Sequence, residues 1–363
     1  MSKKKQKKEK SGLLGRIVRR FFLTLFTLVI LLVVGLSLIM NLVFNGPSPA
    51  ARDVLTMSLL EPSATKWIPG LFMDKEIVEQ IRSAGHNEDI QEEQNLDDIV
   101  IMDANTLAAS DEWAAYPDGI RIESYSGKTF NAHIMLIQDP SRVYLGLSSY
   151  DGFSTSKPGK RLNAAIEDEG ASAAINAGAF NDDGTAGLQV GSVPAGLTIH
   201  DGKVVSNLYK DLVPEKGFCG FNTDNKLVVA ESMTEQQAME QNIRDGCEFG
   251  PVLIVNGVPN QKVYSGNSGY NPRTVVGQRA DGVVIFVCAD GRQAGSLGAT
   301  YKDMIDILTA YGAVNACNMD GGSSSVMLYR DSTTGQVQMI NSYSVLQSEP
   351  RRMPNFWMVK PKQ

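Results

Sequence analysis

The order of apolar and polar positions gives the chain three successive textures. Phe21 to Phe44 is a run of 24 residues without a charge, FFLTLFTLVILLVVGLSLIMNLVF. At about 1.5 Å of helical rise per residue it crosses a hydrocarbon core of about 30 Å with some length left for tilt. Residues 51–62 and 74–83 then repeat apolar side chains at helical spacing (Val54, Leu55, Leu59; Ile77, Val78, Ile81), broken by Pro62 and by Ile68-Pro69-Gly70. They predict a helical stalk, followed by an acidic linker from His86 to Asp98. From about Trp113 the pattern shortens to strands with turn punctuation.

Within that third texture, residues 133–137 and 143–147 predict strands on either side of Asp139-Pro140, and 161–169 a short helix. Ala173-Ala174-Ile175 predicts a strand running into a loop from Asn176 to Gly184. Asp201-Gly202, Asn256-Gly257 and Asp281-Gly282 sit between apolar runs as two-residue hairpin turns. Tyr301 to Tyr311 predicts a helix capped by Thr300, with Met304, Ile305 and Leu308 on one face and Gly312 at its end. The expected fold is α+β, a strand-rich mixed-sheet domain with a few helices behind one N-terminal transmembrane helix. The expected division is a basic tail over 1–20, an anchor over 21–44, a stalk and linker over 45–112, and the main domain over 113–363.

Charge changes the picture at one end. Residues 1–50 hold nine Lys or Arg and one acid, while the remainder holds 25 bases and 39 acids, a net of −14. Nucleic acid is therefore not an expected partner. The lysines before the apolar run place that side in the cytoplasm and the acidic body outside. A cleavable signal peptide is the alternative, but its apolar region runs to only about 15 residues. Of four cysteines, Cys219 and Cys247 flank polar turns and could pair, whereas Cys288 and Cys317 lie in apolar runs. No CxxC occurs, so no zinc site is indicated.

The candidate chemistry lies between Asn271 and Tyr329. A two-residue turn at Asp281-Gly282 sets Arg273 opposite Asp290; a longer loop would slip this register by a residue or two but leave both at the same strand end. The strand 283–289 ends in Asp290, and the helix 301–311 returns the chain to a strand 313–319 that ends in Asp320. Such a crossover brings both aspartates to one sheet end. Gly321-Gly322 and the serines after them offer amides and hydroxyls to an anionic oxygen, and Arg273 suits a phosphate. The plainer alternative is that each aspartate merely opens a turn.

Asn271-Pro272-Arg273-Thr274, Ala289-Asp290-Gly291-Arg292-Gln293 and Asn318-Met319-Asp320-Gly321-Gly322-Ser323-Ser324 resemble, in order and spacing, the phosphodiester glycosidase family. Ile175-Asn176-Ala177-Gly178-Ala179-Phe180 is similar to its INGGFF segment, and Pro194-Ala195-Gly196-Leu197 to its next glycine turn. Ser323 stands where the family usually has a third glycine, and Ala177 and Ala179 modify INGGFF. The likeness covers roughly 120–360 and implies a hydrolase that splits a sugar-1-phosphodiester into sugar and phosphomonoester. With an extracytoplasmic anchor, this suggests envelope glycan, exopolysaccharide or teichoic-acid-like material as substrate. The expected site has Asp320 as nucleophile or base and Asp290 second in that role. Arg273, Asn176, Gly178, Arg292, Gly321, Gly322, Ser323 and Ser324 would hold the ligand.

Two other readings stay open. One is a non-catalytic glycan-binding or assembly protein. The other is a phosphoesterase using Ca²⁺ or Mg²⁺ on Asp182, Asp183, Asp290 and Asp320, although no cofactor is expected for the glycosidase. A Ser-His-Asp hydrolase is poorly supported: His86, His133 and His200 lack a nucleophile-elbow serine. Structural roles are expected for His133 and His200, with His200 the better candidate for a site.

Overall fold

The helical and strand periodicities resolve into two compact units, Met1–Glu79 and Gln80–Gln363, in a computed structural model. It describes residues 2–61, 65–85, 94–102, 106–107, 110–181, 190–213, 216–343 and 349–362, without the side chains of 2–14, 84 and 85. His86, Asp182, Asp183 and Gly184 lie outside the described residues. In the first unit the helix Ser2–Phe44 contains the apolar stretch Gly15–Phe44, long enough to cross a membrane and with most of its side chains exposed, although Phe44 at its end is buried. The helix Pro49–Leu60 follows, with the Ser48 side chain accepting from Ala51 N–H as its N-cap.

Among the described residues the second unit has three larger antiparallel sheets, two two-stranded ones and a few short helices, an α+β arrangement. The central sheet runs in the order 120–126, 131–137, 284–289, 273–279, 313–319, 252–255, 258–259. Strand 273–279 is antiparallel to both 284–289 and 313–319, so those two run parallel and end together, at Asp290 and Asp320. The helix Tyr301–Ala310 makes the connection. Thr300 and Asp303 form a reciprocal capping box at its start, and Met304, Ile305 and Leu308 are fully buried against the sheet. Each such side chain contributes about 1.5–3 kcal/mol by burial.

The other face of the central sheet packs on the two five-stranded sheets through Val276, Phe286, Cys317, Met319, Phe221 and Trp357. One of these sheets is ordered 227–230, 218–222, 243–248, 196–200, 203–208; the other 337–339, 327–330, 173–176, 355–359, 143–147. Gln94 is docked rather than free in a linker, bonding Leu227 O and Val229 N–H. Cys219 and Cys247 face each other across their strands as free thiols, and burial pushes both pKa values up.

Two of the three hairpins close as two-residue turns, with Asp201, Gly202, Asn256 and Gly257 all at positive φ. The third does not. Gln278 pairs with Val284, Gly282 N–H donates to Arg279 O, and only Gly282 has positive φ. This is a type I turn closed by a glycine bulge. Its extra residue slips the register by one, so Arg273 faces Ala289 instead of Asp290. A slip of one moves a side chain to the other face of the sheet.

Candidate functional site

The end of strand 313–319 is held by backbone contacts on every side. Asp320 N–H donates to Ala177 O (3.0 Å), and Gly322 N–H to Pro272 O (2.9 Å). A side chain at Gly321 would meet Pro272 O at 2.8 Å. Gly322 has φ +61°, and a Cβ there would meet the Arg292 guanidinium at 2.9 Å. Gly321 is thus required by close approach of backbone, and Gly322 by its left-handed backbone conformation. The result is a tight turn that leaves Asp320 half-buried and open to a ligand.

Asn176 is the bolt of this turn. Fully buried, it donates from Nδ2 to Asp320 O (2.6 Å) and accepts at Oδ1 from Thr274 Oγ1 (2.8 Å) and Val326 N–H (3.2 Å). Its side chain therefore ties the backbone at Asp320 and Val326 to the Thr274 side chain. Gly178 is buried too, giving its N–H to Asn355 Oδ1 and packing against Cys247. Ser324 is fully buried, whereas Ser323 is partly exposed.

The two arginines of the motifs have different fates. Arg273 is 2% exposed and turns to the helix-covered face, its guanidinium 4.0 Å from the Tyr301 ring centroid. It donates to Ser268 O (2.6 Å) and Ala299 O (3.3 Å). Arg292 is exposed, lies against Gly322 and is steadied by Asn271 Oδ1 (3.0 Å). The arginine that the turn presents beside Asp320 is Arg292.

Asp290 reaches the same sheet end but is 3% exposed. Its Oδ1 accepts from Ser342 N–H (2.9 Å), and His133 Nε2 stands 3.7 Å from Oδ2. His133 thus reaches this end of the sheet, while His200 sits at the opposite end of strand 196–200.

Three further residues complete the surroundings. Arg351 donates to Ser323 Oγ (3.4 Å), with its guanidinium 4.8 Å from the Phe180 ring centroid. The Tyr343 hydroxyl donates to Ser323 O; burial raises its pKa, Arg351 and Arg161 lower it, and the Asp320 charge raises it. Glu248 lies on the other side of the 176–180 loop, its backbone O accepting from Ala179 N–H (3.1 Å). Its carboxyl sits over Gly196 and accepts from Leu197 N–H; burial raises its pKa, while that bond and Lys210 oppose the rise. No motif marks these three, because each lies outside the consecutive segments that carry the motifs.

Among the described residues no group of three or more His, Cys, Asp or Glu side chains gathers to hold an ion.

The fold and this end of the sheet define an α+β protein that presents a carboxylate in a glycine turn flanked by arginines, behind an N-terminal apolar helix. Residues 169–360, more than half of the chain, match the phosphodiester glycosidase family, and the chain belongs to that family. The SPbeta prophage-derived uncharacterized protein YomE of Bacillus subtilis (strain 168) is 27% identical over 208 residues. The match covers 54% of this chain and 29% of that relative. The auto-inhibited catalytic domain of zebrafish N-acetylglucosamine-1-phosphodiester alpha-N-acetylglucosaminidase shares the fold. The TM-score is 0.52 at 20% identity, over 67% of this chain and 82% of that one.

Proposed function

We propose that the chain is a membrane-anchored hydrolase that cleaves the bond between a sugar and its phosphodiester, in cell-envelope glycan, exopolysaccharide or teichoic-acid-like material. Its basic tail would lie in the cytoplasm and its sheet domain outside. The observation that carries this reading is the half-buried Asp320 in a turn with Arg292 against Gly322 on one side and Arg351 on Ser323 on the other. A carboxylate suits the positive charge that grows on the sugar, and guanidinium groups suit the departing phosphate.

In this mechanism the C1–O bond breaks and its electron pair leaves with the phosphate, which Arg292 and Arg351 hold. Asp320 either attacks C1 to form a glycosyl ester that water then hydrolyses, or takes a proton from a water that attacks C1 directly; on both routes the water oxygen becomes the sugar hydroxyl. Glu248, kept protonated to higher pH by burial, is the second carboxyl that such a reaction uses. A phosphate leaves readily, so its proton is a modest help. Asp290, Asn176 and Arg273 would then be positioning residues: Asp290 holds Ser342 next to Tyr343, Asn176 holds the Asp320 backbone, and Arg273 holds the strand start.

The test is to incubate the full chain in detergent with a panel of sugar-1-phosphodiesters. Released sugar with a phosphomonoester supports the reading. Sugar-1-phosphate as product favours a phosphoesterase, and binding without turnover favours an assembly protein.

A further inference from the structure

The strands that bear the candidate site at one end bear a separate cleft at the other. Strand 173–176 enters the site at Asn176, while its other end, Ala173, pairs with Val359, which pairs in turn with Val143. Strand 196–200 has Gly196 under Glu248 and His200 at its far end; strand 243–248 has Asp245 there. By strand rise the ends of 196–200 are roughly 13 Å apart. A cleft of about 430 Å³ opens at the far end among Tyr144, Tyr150, Glu169, His200, Asp245 and Lys360.

Its floor is locked. Arg244 bonds Asp245 and also donates to Asn225 Oδ1 and Pro140 O (both 3.2 Å). His200 Nδ1 lies 2.7 Å from Leu145 O and 3.2 Å from Asp245 Oδ1, which fixes the ring, and its pKa is raised chiefly by Asp245. The rim is open. Tyr150 is half exposed, with its ring centroid 5.2 Å from that of His200. The hydroxyls of Tyr144 and Tyr150 turn to Glu169. Lys360 is exposed, its Nζ 5.4 Å from the Tyr144 ring centroid, and has no ion pair among the described residues.

Acids (Glu169, Asp201, Asp245) and bases (His200, Arg244, Lys360) are mixed around this cleft, so neither sign of charge dominates. A polyanion would meet carboxylates here, and an oily ligand would strand charged groups. A pyranose ring fits both features: its C–H face covers an aromatic ring, and its hydroxyls donate to carboxylates and phenol oxygens and accept from the ammonium group. We propose that this cleft is a carbohydrate-binding subsite for a neutral pyranose unit of a glycan, distinct from the site at Asp320. The inference rests on the cleft and stands whichever reaction occurs at Asp320.

The test uses the full chain in nanodiscs, free of glycoside detergents, titrated calorimetrically with chitotetraose, cellotetraose and maltotetraose. Saturable binding of at least one is expected, weakened about tenfold or more by Tyr150→Ala and unchanged by Asp320→Asn. Tyr150→Phe keeps the ring and should keep binding, and an unchanged urea unfolding curve of Tyr150→Ala separates loss of stacking from loss of folding. No saturable binding by any of the three sugars overturns the proposal. So does binding that Asp320→Asn abolishes and Tyr150→Ala leaves intact.

Discussion

The Asp320 end and the His200 end of the same strands are built by different means. At the Asp320 end the shape comes from the backbone: one glycine without room for a side chain and one at positive φ, amides given to Ala177 O and Pro272 O, and one buried asparagine. At the His200 end it comes from side chains of six separate segments leaning on Arg244 and Glu169. A site made of backbone needs particular residues in consecutive positions, and so leaves a motif. A cleft made of scattered side chains leaves none.

The strongest way to break this contrast is a pair of truncations. Asn176→Ala strips three buried partners and should cost about 3 kcal/mol in a urea unfolding curve. Tyr150→Ala, on a half-exposed ring, should stay within about 0.5 kcal/mol of the parent. Equal losses would mean that the two ends do not differ in rigidity. Next comes the pair of arginines. Arg273→Ala leaves buried carbonyls without donors and should cost about 2 kcal/mol of stability. Arg292→Ala should keep the melting temperature and lower kcat/KM on a sugar-1-phosphodiester by roughly a hundredfold. The reverse pattern would return the phosphate to Arg273.

The smallest effect concerns pH. Burial raises the folded pKa of Glu248 above its unfolded value. Its proton donation should fade as pH rises through the folded pKa. Over the window between the two values the folded state binds more protons than the unfolded one, so stability also falls as pH rises. Glu248→Gln should remove that basic limb from the pH profile of kcat/KM while lowering the peak by only about tenfold, since phosphate leaves with little help. A basic limb unchanged in Glu248→Gln would assign it to another group.

Much of the scaffold was legible in the sequence because local rules decide it. Asp201-Gly202 and Asn256-Gly257 close two-residue turns, Thr300 caps its helix, and strands 284–289 and 313–319 end together as the crossover requires. The failure at Asp281-Gly282 is instructive. The same dipeptide closed a three-residue loop, and the one-residue slip took Arg273 to the Tyr301 face of the sheet. Turn composition alone does not separate the two loop lengths, yet the difference decides which arginine stands beside Asp320. Tyr343, Arg351 and Glu248 were hidden for another reason: only the pairing of distant strands and loops brings them near, and nothing adjacent in the chain records it.

The most direct test of the account runs the reaction in heavy-oxygen water, comparing the parent with Asp320→Asn. Cleavage of the sugar C1–O bond puts the label on the released sugar and leaves the phosphomonoester unlabelled, with turnover falling by about a thousandfold in Asp320→Asn. Label in the phosphate, or full turnover by Asp320→Asn, would contradict it.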